Sequence, residues 1–511
     1  MNHLQNLLEK RIGFWREFAI CVAIAVVSRG SMLFPLNYSQ DTYRFLNYQE
    51  AVNFALFACE MRAFGYPLIN FLEAIGAQYP YAGALWPILF TAALAYAGLI
   101  SMRIWLPAAG STALIVGACL FTLFPYQSDY LSFHNAAPSF TIMLLLGWSA
   151  LLIAPRSRST ILLSLPALAY VVSGQIIFGF LFLVVFIEAM IWAYGWCLQP
   201  IFSRSGIWSS AKPWAIRLAL LFAGAIFYVV ASRFIMLVTG VASGSRLEMS
   251  GMADYPEKMV LYAKQCYYFL FKGEVGIPVF LKALQLALMG GIGLAGFMAF
   301  FQSRISLFSL CLWGLLFGMT VAAVGACMGV VLPIRDAYSE MNLRTLSAIS
   351  VYWAGIFALA FFSTNGLMRS VVIVLGGILA FGYAVNANRQ ASDFARINER
   401  DRLVASRMVE RLCLLPKFSD VRTVVLVGKN SKFNIDRVTT ETAGFNVSSL
   451  YRYWSSTAVL REVSGLPFEY PSDSDRHLAE KAALGKQEWP LPGSVFIEGD
   501  VGVVVLPKGE K

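Results

Sequence analysis

The chain has 511 residues, of which 58% are apolar and 14% charged, with a net charge of +10 and a mean hydropathy of +0.62. Soluble domains carry roughly 25% charge, so a soluble globular protein is excluded and a polytopic, mainly α-helical membrane protein is expected. The positive charge sits in short connectors and in the last quarter of the chain, with no basic run interleaved with aromatics, which excludes a nucleic-acid partner.

In chain order, Met1 to Arg16 carries charges ahead of an apolar run too long for a signal peptide and without a small-residue cleavage site, so it reads as an uncleaved first helix. Crossing a hydrocarbon core of roughly 30 Å takes about twenty apolar residues. Eleven such runs are expected, near 16–36, 83–102, 108–125, 138–154, 159–173, 175–196, 213–238, 276–301, 305–332, 344–362 and 369–388. The adjacent pair 159–173 and 175–196 is divided only at Ser173-Gly174-Gln175. With both present, Lys10, Arg11, Arg16, Arg103, Arg156, Arg158, Arg204, Lys212, Arg217, Arg304 and Arg369 fall on one side, as the positive-inside rule expects of the cytoplasm.

That topology sends the long loops 37–82, 126–137, 239–275 and 333–343 to the outer side together with the C-terminal segment. Large polar surface on one face alone suits a catalyst of extracytoplasmic chemistry. A transporter more often shows an internal repeat, and none is evident. The first loop, 37–82, reads as the active-site loop, because it sets Asp41, Arg44, Glu60 and Arg62 among aromatic and aliphatic residues at the mouth of a membrane helix. The alternative for part of it is an interfacial amphipathic helix over Tyr48 to Phe57. The second loop supplies Asp129 and His134, the third Lys264, and the fourth Arg335 and Arg344 at the ends of two helices. A lipid-linked phosphate would need cations at this depth, since an anion entering low dielectric must be paired, although any one of these arginines can equally be a solvated or snorkelling anchor.

Inside the spans Arg29, Glu188 and Lys282 stand out. Burial of a charge at the bilayer centre costs about 3 kcal/mol on insertion scales, so such groups face the bundle interior or a wet cavity. Lys282 lies close enough to a helix end to snorkel, and a structural ion pair is as good a reading of Arg29 and Glu188 as a catalytic role. The eight cysteines show no metal-ligand spacing, and His3, His134 and His477 are too few for a histidine-rich centre, so no metal site is expected.

From about Arg389 the composition becomes that of a soluble domain, dividing the chain into a membrane domain, 1–388, and a small α/β domain, 389–511. Residues 389–412 read as an amphipathic helix with apolar positions Phe394, Ile397, Leu403, Met408 and Leu412. Arg422 to Gly428 reads as a buried strand ended by a glycine turn, and 494–497 with 502–506 as a closing hairpin. No nucleophile elbow or phosphate loop occurs in it.

Several short motifs resemble one family. They are Ser39 to Arg44 (SQDTYR) with Cys59 to Leu68 (CEMRAFGYPL), Phe124 to Pro138 (FPYQSDYLSFHNAAP), Val171 to Gln175, Met341 to Ala348 (MNLRTLSA), and the terminal PLPGSV and GVVVLP. Together they are similar to the Gtr-type, O-antigen-modifying glucosyltransferases of bacteria and phages, which belong with the GT-C membrane glycosyltransferases. The resemblance implies an inverting transfer of a sugar, glucose in that family, from undecaprenyl phosphate to lipopolysaccharide O-antigen or a related glycan, with lipid and glycan as the partners. It implies a bacterial inner-membrane protein whose active site and C-terminal domain face the periplasm. Asp41, matching the family's first-loop acid, would be the general base, with Glu60 the next candidate. Arg62 and Arg344, backed by Arg335 and Lys264, would hold the donor phosphate, and Arg44, Asp129 and His134 would contact the acceptor or order the loops. No cofactor is expected, since phosphate already leaves well, although the chemistry does not forbid a divalent cation. The rival readings are a polyprenyl-linked glycan flippase and a non-catalytic partner in glycan polymerisation.

Overall fold

In the computed structural model the described residues are 10–33, 42–43, 75, 85–132, 137–172, 176–198, 204–239, 260, 277–301, 314, 318, 347–364, 366–428, 433 and 447–507. The apolar runs among them fold as helices, because only a helix satisfies its own backbone where no water is available. The first is α1, Phe14–Leu33, followed by α2, Leu85–Trp105, and α3, Ser111–Thr122. Then come α4, Ala137–Ile153, α5, Arg158–Val172, α6, Ile176–Leu198, and α7, Arg204–Thr239. Val279–Phe301 is α8, Ile349–Ser363 is α9 and Leu367–Cys413 is α10.

Five helices among the described residues are long and apolar enough to cross a membrane: α2, α4, α6, α7 and α10. The eleven runs read from hydropathy are thus not all helices of spanning length. The run near 108–125 is broken at Pro125, whose missing N–H ends the helical ladder, and the chain turns by 57° into a short helical bend, Pro125–Leu131, so that the two pieces make at most one further span. Helices α5 and α9, and the apolar part of α8, are shorter than a full span, while α1 carries Arg16, Glu17 and Arg29. The expected run 305–332 lies outside the described residues apart from Gly314 and Gly318.

Contacts sort the helix ends. Arg11 Nε donates to Ala109 O at 2.9 Å, and Arg103 on α2 meets Glu17 on α1 at 2.5 Å, so the start of α1, the end of α2 and the start of α3 share one end of the bundle. Trp148 Nε1 reaches Ser101 Oγ at 2.7 Å, which brings the end of α4 to the same level. Arg217 on α7 donates to Leu151 O at 2.7 Å and pairs with Glu188 on α6. Residues Trp105 to Gly110 line one cavity with Phe361, Gly366 and Arg369, adding the end of α9 and the start of α10. Arg11, Arg103 and Arg369, placed on one side by the charge count, therefore do lie at one end.

Helix α10 has 47 residues, about 70 Å at 1.5 Å per residue, far more than a bilayer core needs. Leu367, Val371, Val374, Ile378, Phe381 and Val385 form an exposed apolar stripe at helical spacing, as lipid would favour, and the stripe stops there. The opposite, buried stripe does not stop: Gly376, Leu379, Tyr383, Ala387, Gln390, Phe394, Ile397, Asp401, Ala405, Met408 and Leu412 continue it to the helix end. The compositional change at Arg389 is therefore no break in the chain's structure; the last apolar run and the first helix of the tail are one rod. Phe394, Ile397, Met408 and Leu412 are buried as expected, whereas Leu403 is exposed, because it falls off the stripe that Asp401 and Ala405 define.

Around the free end of α10 the chain forms a three-stranded sheet in the order β1-β3-β2, with β1 Thr423–Val427, β2 Val495–Glu498 and β3 Val501–Val505. Strands β2 and β3 make the expected antiparallel hairpin, and β1 lies parallel to β3. Gly428, at φ +116°, ends β1 where a Cβ would stand 2.9 Å from Leu506 O, so the turn requires glycine. Two helices complete the tail, α11, Tyr453–Ser464, and α12, Asp473–Ala482, the latter opened by a capping box between Ser472 and Asp475. The carboxylate of Asp401 anchors this unit to the rod, accepting from Ser448 Oγ at 2.9 Å and from Ser449 N at 2.5 Å.

Two adjacent glycines on α10 test the helix contacts. A Cβ on Gly376 would stand 2.5 Å from the buried ring of Phe357 on α9, whereas one on Gly377 would meet nothing within 4 Å. Gly376→Ala should destabilise the detergent-solubilised protein by about 1–3 kcal/mol, and Gly377→Ala should leave it within about 0.5 kcal/mol, read as thermal unfolding midpoints. Equal midpoints would refute the close approach of α9 and α10.

Candidate functional site

The Pro125–Leu131 bend lies at the far end of α3 from Arg11 and Arg103. Its sequence, Pro-Tyr-Gln-Ser-Asp-Tyr-Leu, places three polar residues in succession, and the bend tucks them inward: Gln127, Ser128 and Asp129 are all buried. What was expected as an outer loop over 126–137 is, over its described part, an internal turn. Apolar and aromatic neighbours enclose it. Phe124 meets Tyr126 at 4.9 Å and Tyr383 on α10 at 5.3 Å, while Tyr130 meets Phe90 at 5.5 Å and Phe140 at 5.0 Å, all between ring centroids.

Into this turn reaches Arg29 of α1, whose side chain has no exposed surface. Nε donates to Ser128 Oγ at 3.3 Å and Nη2 to Thr122 O at 2.5 Å, both neutral oxygens, and Nη1 has no hydrogen-bond partner. No carboxylate among the described residues lies within ion-pair distance of it. This differs from Glu17, which has Arg103, and from Glu188, which has Arg217, so Glu188 is the structural ion pair that its position allowed.

Helix α10 supplies the facing wall, packing along α1 and against the bend. Its buried stripe turns polar here: the carboxamide of Gln390 is fully buried with neither its oxygen nor its nitrogen bonded, and Asp393 keeps one carboxylate oxygen unbonded while the other lies 3.9 Å from Arg396. Gln127 donates to Ser350 Oγ on α9 at 2.8 Å, yet its own oxygen accepts nothing. On α8, Lys282 and Gln285 share one buried face, and Gln285 bonds the Tyr383 hydroxyl. Lys282 is therefore not a snorkelling residue: position 285, one turn on, faces α10, and the same helical face carries 282 inward. A buried polar atom without a partner costs about 1–3 kcal/mol, and native chains keep few of them. Four such side chains along one seam, Arg29, Gln127, Gln390 and Asp393, make a donor and acceptor set that can receive a polar ligand.

Of the residues singled out from sequence, Asp129 belongs to this seam. Asp41, Glu60, Arg62, Arg44, His134, Lys264, Arg335 and Arg344 lie outside the described residues, so their mutual placement is not a finding. Two neighbours of Asp41 are described. Thr42 Oγ1 donates to Ser132 O at 2.9 Å, at the end of the bend, and Tyr43 is fully buried within the tail's apolar core, its hydroxyl 3.3 Å from Asn398 Oδ1. Sequence reasoning missed Gln390 and Asp393 because they read as the wet face of a soluble helix. The signal that could have found them is their spacing from Tyr383, about two and three helical turns along one face.

Tyr43 thus ties the first loop to the rod and the tail. Tyr43→Ala should destabilise the tail by about 3–5 kcal/mol, and Tyr43→Phe, which loses only the hydroxyl, by about 1 kcal/mol, read as faster proteolysis of the tail in the solubilised protein. Glu462, beside this hydroxyl and 3.4 Å from Arg402, has its carboxyl raised above the ordinary value by burial, against the opposing pull of Arg402 and Tyr43. A raised native value stabilises most below the unfolded value of 4.5, and this stabilisation is lost as pH rises through the native one. Glu462→Gln should therefore flatten the decline in tail stability above that pH; an unchanged profile would remove Glu462 from the titration.

Compared with known proteins, the chain matches no family model and no curated protein.

Proposed function

We propose that this protein is an inverting membrane glycosyltransferase that moves a sugar, glucose by the resemblance of its motifs, from undecaprenyl phosphate to O-antigen or a related cell-surface glycan on the periplasmic side. The observation that carries this reading is Arg29, a fully buried guanidinium with an undonated N–H and no carboxylate partner among the described residues. An uncompensated buried charge costs several kcal/mol, and an anion arriving beside it removes that cost. A phosphate on a lipid chain is such an anion.

In the proposed reaction an acceptor hydroxyl oxygen attacks the anomeric carbon from the face opposite the phosphate. The new C–O bond forms as the bond to the phosphate oxygen breaks, and the configuration inverts. The hydroxyl proton passes to a carboxylate, and the phosphate leaves on its lipid with the electron pair. Negative charge grows on that oxygen, so a fixed guanidinium nearby stabilises the transition state more than the ground state. Arg29 takes this role in the seam, with Arg62, Arg344, Arg335 and Lys264 as further proposed phosphate contacts. Asp41 is the proposed base, with Glu60 and Asp129 behind it. Arg44 and His134 remain proposed loop or acceptor contacts. The polar seam and the tail lie at the end of the bundle opposite Arg11, Arg103 and Arg369, the arrangement that a positive-inside orientation with extracytoplasmic chemistry would need.

Mass analysis of surface polysaccharide from cells with and without the intact gene should show the loss of one hexose per acceptor unit. Arg29→Gln should lower transfer by about 10² or more and Arg29→Lys by less, because a point charge keeps part of the phosphate attraction without the planar fork. Asp41→Asn should lower turnover by about 10² with donor binding retained. If both arginine variants decorate glycan at the wild-type rate, the phosphate site is elsewhere; if loss of the gene removes the hexose while sugar-loaded donor accumulates in the inner leaflet and transfer persists from donor supplied on the outer face, the protein is a flippase.

A further inference from the structure

The tail carries a groove of about 370 Å³, within the roughly 300–1,000 Å³ of ligand pockets, that none of the transfer chemistry above uses. Its floor is β1. This strand is the edge of the sheet, and Val427 O accepts from Leu506 N on the β3 side, so the alternation of a parallel strand turns the C=O of Val424 and the N–H and C=O of Leu426 outward into the groove, the Val424 N–H being turned to the Glu469 carbonyl in the bridge below. The edge is closed below them, where Glu469 N donates to Arg422 O and Thr423 bridges to Glu469. Two outward residues are too few to template another strand, which removes β-addition of a peptide as the occupant.

The walls are aromatic and held in place. On the α11 side stand Tyr451, Tyr453 and Trp454, with the Arg452 guanidinium 4.7 Å from the Tyr451 ring and 5.5 Å from the Trp454 ring. From α12, Arg476 lies 4.5 Å over Tyr453 and pairs with Asp473, while His477 lies 3.9 Å from Glu480. Two donors in these walls are buried without a partner, Trp454 Nε1 and Arg476 Nε. Charge in the groove is balanced, Arg452 and Arg476 against Asp473 and Glu480, so it has no excess with which to hold a phosphate or a polyanion.

We propose that this groove binds a neutral, hydroxyl-rich glycan chain. A pyranose ring offers a C–H face that packs on an aromatic ring, and equatorial hydroxyls that both donate and accept. The groove answers each need: flat rings, unbonded N–H donors on Trp454 and Arg476, carboxylates on Asp473 and Glu480, and the outward backbone groups of Val424 and Leu426. Assigning the glycan as the acceptor of the transfer rests on the glycosyltransferase reading; the binding of glycan does not. The tail then acts as a tether that holds the polymer beside the seam, raising its effective concentration there.

The test places a benzophenone amino acid at His477, an exposed rim position, in the full-length protein within its own cells, and illuminates them. Adducts should stain with periodate and step in mass by hexose units. Arg476→Ala and, as a check that keeps the ring, Trp454→Phe should each cut adduct yield, the first by about tenfold, in proteins whose tail remains protease-resistant. Arg476→Ala should also raise the apparent KM for polymeric acceptor while leaving hydrolysis of the donor unchanged. Adducts of peptide or phospholipid, or no adduct, would overturn the proposal. Carbohydrate adducts in a protein without transfer activity would uphold the groove and remove the transferase reading; transfer with no carbohydrate adduct would remove the groove alone.

Discussion

The backbone hydrogen-bond ladder of α10 runs unbroken from Leu367 to Cys413, and the rest of the architecture depends on it. One face of the rod meets two different exteriors, an apolar stripe as far as Val385 and a charged surface beyond. The other face keeps a continuous buried stripe that belongs first to the helical bundle and then to the core of the tail. A rigid rod shared by two cores fixes their relation without a linker. The ties at its upper half, Asp401 to Ser448 and Ser449 and Arg411 Nη1 to Pro490 O at 2.7 Å, are short polar contacts that would be lost if the helix ended at the compositional boundary.

Charge inside the bundle is handled in two ways. Toward the end bearing Arg11, Arg103 and Arg369, carboxylates meet guanidiniums, with Ser111 or a main-chain carbonyl as a further partner, and the buried Arg103 Nε and Glu188 Oε2 stay unbonded in the two pairs. In the seam the guanidinium of Arg29 meets only a hydroxyl and a carbonyl, and on α10 the Gln390 carboxamide and one oxygen of Asp393 are unbonded. Low dielectric magnifies both arrangements: a matched pair becomes a strut, and an unmatched group becomes a binding determinant. The proposed phosphate contact and the proposed glycan groove divide one substrate pair between two such settings, a buried cation for the anion and a balanced, aromatic surface for the neutral polymer.

Hydropathy in the sequence by itself determined that the chain is a helical membrane protein with a small strand-containing tail, because apolar run length and the short β-branched runs of 423–427 and 502–506 are local properties. It also marked Arg29 and Glu188 as exceptional, since a charge in an apolar run is visible without a structure. Only tertiary structure decided what each exception does. Glu188 was matched by Arg217 from another helix, and Arg29 was brought to a bend whose own polar residues had read as an outer loop. Lys282 was turned inward by the face it shares with Gln285, and Gln390 and Asp393 became interior by lying on the α10 stripe that begins in the membrane. Burial of a polar side chain is set by which elements pack against it, and that pairing of distant segments is not encoded in the local pattern of any one of them.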